Sequence, residues 1–270
     1  MQSQLKVSGL FIYPIKSLGG ISLDSIEVQE AGFKYDRRWM LVDQNGMFIT
    51  QRKHPKLALL KTKLEHDGLV VSQKDDPNHK LKINFSDQAI AKKRVVIWDD
   101  EVESDLLSPE YSKWFSAFLG FQVDLVKMPK DGQRPVDPKY AEKRENVSFA
   151  DGMPYLIIGE EALNDLNGRL EKPVPMDRFR PNIVFSGGSA FEEDSWSYVR
   201  IGGVKFKVVK PCARCVLTTV NQDTGQTGKE PLKTLSTYRN FGNKVLFGQN
   251  ALALESGKVS VGDQIIKHDQ

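Results

Sequence analysis

Two cysteines, Cys212 and Cys215, stand three residues apart in PCARCVLTTV (211–220), and the chain has no others. Thiols at this spacing can form a redox dithiol, half of a zinc site or one soft metal thiolate, and they can also be two pieces of core. A redox dithiol needs a helix N-terminus at the reactive sulfur, whose dipole lowers the thiol pKa. Here the flanks VKFKVVK and VLTTV are β-branched and read as extended chain. A structural zinc site needs four ligands, and the four histidines, His54, His66, His79 and His268, are scattered. In an extended segment residues three apart point to opposite faces, so one cysteine is expected to face a site and the other to lie behind it. Pro211 permits a turn at the start of the pair. Composition alone leaves two buried core cysteines as the simplest account.

Other stretches suit anions. In YPIKSLGG (13–20), Lys16, Ser17 and Gly19-Gly20 offer an ammonium, a hydroxyl and free backbone N–H groups to a phosphate, although the spacing is not that of a P-loop and an ordinary hairpin loop would look the same. In YDRRW (35–39), Asp36, Arg37 and Arg38 open a strand and read equally as a surface ion pair. In MDRFRPN (176–182), Arg178 and Arg180 are two apart, so an extended backbone would aim both guanidiniums one way, at an anion or at two surface carboxylates. EEDSW (192–196) and FGQN (247–250) are distinctive but define no chemistry by residue type.

The elements that must position these groups are mostly short strands. KVSGLFIY (6–13), RWMLVD (38–43), MFIT (47–50), LALLKTKL (57–64), LVVS (69–72), RVVIW (94–98) and FQVDLV (121–126) are rich in β-branched and aromatic residues. YLIIG (155–159), NIVF (182–185), SYVRI (197–201), VKFKVV (204–209) and CVLTTV (215–220) continue the pattern, with Gly202-Gly203 as a tight hairpin turn. Three helices are expected. The first covers 109–119, with Ser108 as N-cap, Pro109 in the first turn and Gly120 as the stop; the others cover 160–170 and 231–239. Many strands and few helices predict a mainly β, α+β protein built of barrels or sandwiches. The polar segment 128–148, with three prolines and no period, is either a domain linker or a loop over a site.

The chain has 270 residues, 40% of them hydrophobic and 27% charged, which suits a globular protein of two ordinary domains or one large one. The net charge of +3 is too mild to argue for nucleic acid, and KKR (92–94) reads as a solvated strand edge. No apolar run reaches the ~18 residues of a membrane helix, and the N-terminus lacks the pattern of a signal peptide, so no membrane partner and a cytoplasmic location are expected.

YPIKS, DRRW, FADGMPYLI, FRPNIVFSG, EEDSW, KPCARCVLTTV, EPLKTL and FGQN occur in this order over residues 10–263. Together they resemble the MOSC-domain molybdenum cofactor proteins that carry an N-terminal β-barrel domain, among them the bacterial YcbX proteins and the mitochondrial amidoxime-reducing component. The resemblance implies a MOSC_N barrel over 1–127 packed with a MOSC barrel over 128–270. It implies a molybdenum–molybdopterin cofactor, with Cys215 as the protein's thiolate on the metal and Cys212 as structure. Lys16, Ser17, Arg37, Arg180 and Asn182 match residues that contact the cofactor, and Asp151 matches an acidic residue beside the metal, a candidate proton donor or orienter. Where the mitochondrial proteins have Thr-Ser after that aspartate, this chain has Gly152-Met153, so cofactor contacts there would be made by backbone.

The implied chemistry is two-electron reduction of small N-hydroxylated compounds (hydroxylamines, amidoximes, N-hydroxylated bases) to amines, a detoxification role; pyridoxal phosphate binding also travels with the family. Many relatives continue into a ferredoxin domain, whereas no cysteine follows Cys215 here, so no iron–sulfur cluster is expected in this chain. Electrons are then expected from a separate protein of the ferredoxin or flavoprotein-reductase type. The alternative is a molybdenum cofactor or sulfur carrier that uses Cys215 as a transient persulfide. A third possibility is a basic barrel that binds phosphate or nucleic acid.

Overall fold

A computed structural model describes residues 4–268. The first part of the chain contributes β1 (Lys6–Ile12), β2 (Ile21–Leu23), β3 (Ser25–Gln29), β4 (Gly32–Phe33), β5 (Trp39–Val42), β6 (Leu60–Leu64), β7 (Gly68–Gln73), β8 (Lys80–Asn84), β9 (Ala91–Ile97), β10 (Asp100–Leu106), helix α1 (Pro109–Leu119) and β11 (Asp124–Lys127). The second contributes β12 (Tyr155–Gly159), α2 (Glu160–Arg169), β13 (Ile183–Ser186), β14 (Tyr198–Ile201), β15 (Val204–Arg214), α3 (Leu232–Tyr238), β16 (Asn240–Phe241), β17 (Lys244–Ala253), β18 (Gly257–Ser260) and β19 (Ile265–His268). The protein is mainly β with three short α-helices, as its patterning predicts.

Nine strands form the largest sheet, in the order β19-β14-β15-β17-β12-β13-β1-β2 with β16 on β17. Four more form β5-β11-β10-β9, and two three-stranded sheets are β18-β3-β4 and β6-β7-β8. The expected barrels are not closed by hydrogen bonding among the described residues: each sheet ends in an edge strand. Both parts of the chain share sheets and core. β1 pairs with β13, and β3 pairs with β18. Val7, Leu10 and Ile12 of β1 pack in one buried cluster with Tyr155, Phe185 and Phe206. The Tyr155 ring meets Phe33 and Phe206 edge-on at 5.1 and 5.2 Å.

Helix α1 follows its sequence signals. The Ser108 side chain accepts the Glu110 N–H, Pro109 sits in the first turn, and Gly120 ends the helix at φ 79°. Tyr111, Phe115 and Leu119 face inward from it. The Gly202-Gly203 turn is also present, with Ile201 opposite Val204.

Two backbone expectations near the cysteines are corrected. Residues Val216–Thr219, read as strand, form a 3₁₀ turn with Cys215 at its N-cap. The Thr218 and Thr219 hydroxyls bond back to the carbonyls of Cys215 (3.0 Å) and Val216 (2.7 Å), a local alternative to a ladder that short hydroxyl side chains favour. β15 also bulges against β17 between Pro211 and Ala213. Pro211 has no N–H to give the ladder, and a bulge is where a strand tolerates that. Strict alternation therefore breaks between the two cysteines, and both line the same cleft.

Candidate active site

The loops after β1, before β12 and before β13 meet the end of β15 around a cleft of about 1140 Å³. Lys16, Ser17, Arg37, Asp151, Gly152, Met153, Arg180, Asn182 and Cys215 all line it. Arg178 does not: it lies in a 3₁₀ turn, Met176–Arg178, rather than in extended chain, and donates to the carbonyls of Thr218 (2.7 Å) and Glu230 (3.0 Å). The expected pairing of Arg178 with Arg180 is thereby corrected.

Four of the residues lining the cleft hold left-handed backbone: Ser17 at φ 71°, Arg37 at 49°, Trp98 at 57° and Arg180 at 55°. Such conformations cost non-glycine residues energy and cluster at functional sites, where surrounding contacts fix them. The contacts here are dense. Arg37 forms a buried ion pair with Asp36 at 2.5 Å, not the surface pair that its sequence also allowed. It also donates to Asn182 Oδ1 (3.1 Å) and to the Arg180 carbonyl (3.3 Å). Burial pushes the Asp36 carboxyl upward against the pull of Arg37 and of the Tyr13 N–H. The amide of Asn182 is committed within the protein: it donates to Phe11 O and Asp36, and accepts from Arg37 and the Leu156 N–H. Its work is to hold Arg37 and Asp36. The Arg37 and Arg180 guanidiniums both lie against the Tyr13 ring, at 4.3 and 4.1 Å. Arg180 has one direct hydrogen bond, to the Leu18 carbonyl (2.7 Å), and burial lowers its pKa to about 10. A buried guanidinium without a carboxylate of its own is available to an anion.

Lys16 is buried, and its Nζ donates to Asp151 Oδ1 (2.6 Å) and the Phe149 carbonyl (2.7 Å). Burial lowers its pKa to about 8, with Asp151 opposing the fall. The Asp151 side chain is 58% exposed at the rim. Desolvation pushes its carboxyl up, but Lys16 and Arg52 together outweigh that and hold it well below the usual carboxylate range. Asp151 is therefore ionised at neutral pH, which suits an orienter or proton acceptor and not a proton donor.

Sequence patterning missed Arg52, in the plain stretch TQRK. Its guanidinium lies 3.6 Å from Cys215 Sγ, 3.7 Å from Asp151 Oδ1 and 4.2 Å from the Trp98 ring. Cys212 instead accepts from Arg214 Nη1 at 2.9 Å and packs against the cluster around Phe179 and Phe247. Arg214 Nε is buried with no partner. Seven cations line the cleft (Lys16, Arg37, Arg52, Arg180, Lys210, Arg214 and Lys244) against two carboxylates, Asp99 and Asp151. The site is built for a polyanion. Among the described residues no group of three or more His, Cys, Asp and Glu could hold a metal. A metal on Cys215 therefore requires further ligands carried by a cofactor. An anionic cofactor with soft sulfur donors fits the excess of cations, the unpartnered Arg214 Nε and the Cys215 thiol beside Arg52.

Comparison with known proteins defines the class first: the MOSC N-terminal beta barrel domain matches residues 4–122 and the MOSC domain matches residues 144–266. Mitochondrial amidoxime-reducing component 1 of Homo sapiens is 35% identical over 277 residues, covering 96% of this chain and 82% of its own. Mitochondrial amidoxime reducing component 2 of Rattus norvegicus is 36% identical, with 97% and 82% covered. Molybdenum cofactor sulfurase of rice (Oryza sativa subsp. japonica) is 31% identical over 265 residues, 91% of this chain but 32% of that protein. The chain belongs to the MOSC-domain family with an N-terminal MOSC barrel domain, the group that contains the mitochondrial amidoxime-reducing components.

Proposed function

We propose that this protein is a molybdenum cofactor-dependent oxidoreductase that reduces N-hydroxylated compounds to amines with electrons from a separate redox protein. The observation that carries this reading is the convergence of Cys215, with Arg52 beside its sulfur, and Lys16, Arg37 and Arg180 in a single cleft. The names of these two amidoxime-reducing relatives point to the same reduction.

In this reading Arg37, Arg180 and Lys16 would neutralise the cofactor's phosphate and bond its pterin edge, and Cys215 would supply the protein's soft ligand. Gly152 and Met153 offer backbone beside it. When bound, the cofactor supplies the two-electron centre; the protein's part is to hold, orient and exclude water. Asp36 and Asn182 fix Arg37, and Arg52 sets a positive charge beside the Cys215 sulfur. The Lys16 ammonium, hydrogen-bonded to Asp151, holds a proton at the floor of the cleft, and Asp151 orients it toward water at the rim.

A single-turnover assay tests the reading. Chemically reduced, fully molybdenum-loaded protein mixed with benzamidoxime is expected to yield one equivalent of benzamidine. Full loading without any amine would reject the reductase and favour a cofactor or sulfur carrier.

A further inference from the structure

Two hairpin tips frame the mouth of the cleft, and each presents an aromatic ring to water. Trp98 is the first of two loop residues between β9 and β10, with Ile97 opposite Asp100. Its φ is 57°. The first position of a two-residue hairpin loop with positive φ is one that glycine fills without strain, and a bulky residue there is an outlier. The ring is nonetheless 46% exposed, and it is braced from behind by Phe48 at 5.1 Å and by the Arg52 guanidinium at 4.2 Å. A strained backbone, a rigid brace and an open face together describe a surface kept for contact.

The second tip is the β16–β17 hairpin, turned by Gly242 at φ 64° and Asn243. Phe241 and Lys244 are direct cross-strand partners there, so a ring and an ammonium stand side by side. Phe241 is 58% exposed, and both residues line the cleft. Lys244 has no carboxylate partner among the described residues. Lys210, also lining the cleft and also without one, lies 4.2 Å from the Tyr140 ring.

We infer that this mouth is a specificity vestibule: Trp98 and Phe241 grip a planar aromatic ring, and Lys244 and Lys210 attract an acidic group carried on it. Resting on the reductase reading, this makes the favoured substrate an N-hydroxylated group attached to an aromatic ring that bears a carboxylate or phosphate. Small aliphatic N-hydroxy compounds reach the same centre without either contact. Aromatic contacts of this kind are worth about a tenfold preference, and one exposed and one half-buried lysine add a salt-sensitive factor of about three.

Steady-state reduction of 4-carboxybenzamidoxime, benzamidoxime and acetamidoxime by the loaded enzyme reads both contacts. Expected kcat/KM values fall in that order. Trp98→Ala or Phe241→Ala brings benzamidoxime toward acetamidoxime, chiefly through KM. Lys244→Gln removes only the advantage of the carboxylate, as does 0.5 M sodium chloride in the wild type. Equal values for the three probes, or an unchanged order in both ring variants, would overturn the vestibule. Calorimetric titration of the oxidised, loaded protein with 4-carboxybenzamidoxime separates this inference from the reductase reading. If no probe is reduced but binding weakens about tenfold in Trp98→Ala, the reductase reading fails and the vestibule stands. No binding, or equal binding in both proteins, sinks the vestibule whatever the turnover.

Discussion

At the scale of single residues the two cysteines have different surroundings although they share a cleft. Cys215 faces Arg52, which also reaches Asp151, whereas Cys212 is pinned by Arg214 and by apolar packing. Cys215→Ala should therefore abolish reduction and cofactor retention while leaving the fold intact. Cys212→Ala should retain molybdenum and lose about 1 kcal/mol of stability, read by metal analysis beside urea unfolding. The reverse pattern would exchange their roles. Arg180 offers a sharper separation of stability from function. It is buried without a carboxylate of its own, so its replacement strands no partner charge and leaves only the Leu18 carbonyl without its donor. Arg180→Met should bind less cofactor, yet unfold within about 1 kcal/mol of the wild type when both are metal-free; a larger loss would make Arg180 a folding residue. The motif residues were legible because YPIKS, DRRW, FRPN and PCARC are compact and ordered along the chain. Arg52 was not: nothing local marks a residue whose role comes from meeting Cys215, 163 positions later.

At the scale of elements, helix α1 and the Gly202-Gly203 turn were legible because their ends are written in local chemistry. The segment 128–148 was not, because its order comes from long-range contacts. The structure favours its reading as a loop that builds a site. Arg134, buried, pairs with Asp100 at 2.8 Å and donates to the carbonyls of Ser148 (2.8 Å), Ala150 (2.5 Å) and Asp151 (3.3 Å). Lys16 takes the carbonyl between them, that of Phe149. Four successive carbonyls before Gly152 are thus staked by two buried cations, and Asp151 is held in place by its own backbone. Val136, Val147 and Met153 pack together beneath. Arg134→Met should cost about 3 kcal/mol, since buried acceptors lose their donor. It should also speed amide exchange in 148–153 beyond what global unfolding explains. Protection that falls evenly across the protein would mean that Arg134 acts on the fold as a whole and not on the loop.

At the scale of the molecule, β1 and β3 are hydrogen-bonded into sheets with strands from the far end of the chain. Periodicity shows that these are strands but cannot show their partners. The same long-range closure buries Glu193 of EEDSW, a residue to which patterning assigned no chemistry. Its Oε1 accepts the Gly159 N–H at 3.1 Å, while Oε2 is buried with no partner. Burial raises its pKa to about 7. Below its unfolded pKa of 4.5, folded and unfolded chains are both protonated at this site, and its contribution is complete. As pH rises toward 7 the unfolded chain releases the proton first, so stability falls; above 7 both forms are ionised and the fall stops. The full loss is ~3 kcal/mol at about 1.4 kcal/mol per pH unit. Asp151 acts in the opposite sense and in a different window, since its depressed carboxyl loses stabilising charge only in acid. Lys16, lowered to about 8, favours folding only as pH rises above that value. Between pH 5 and 7.5 the buried glutamate should thus dominate the difference between the metal-free wild type and Glu193→Gln. The two should unfold at similar denaturant concentrations at pH 5, with the variant the more stable by up to ~3 kcal/mol at pH 8. Parallel stability curves across that range would show that Glu193 is ionised throughout and that its unpartnered oxygen has found a donor.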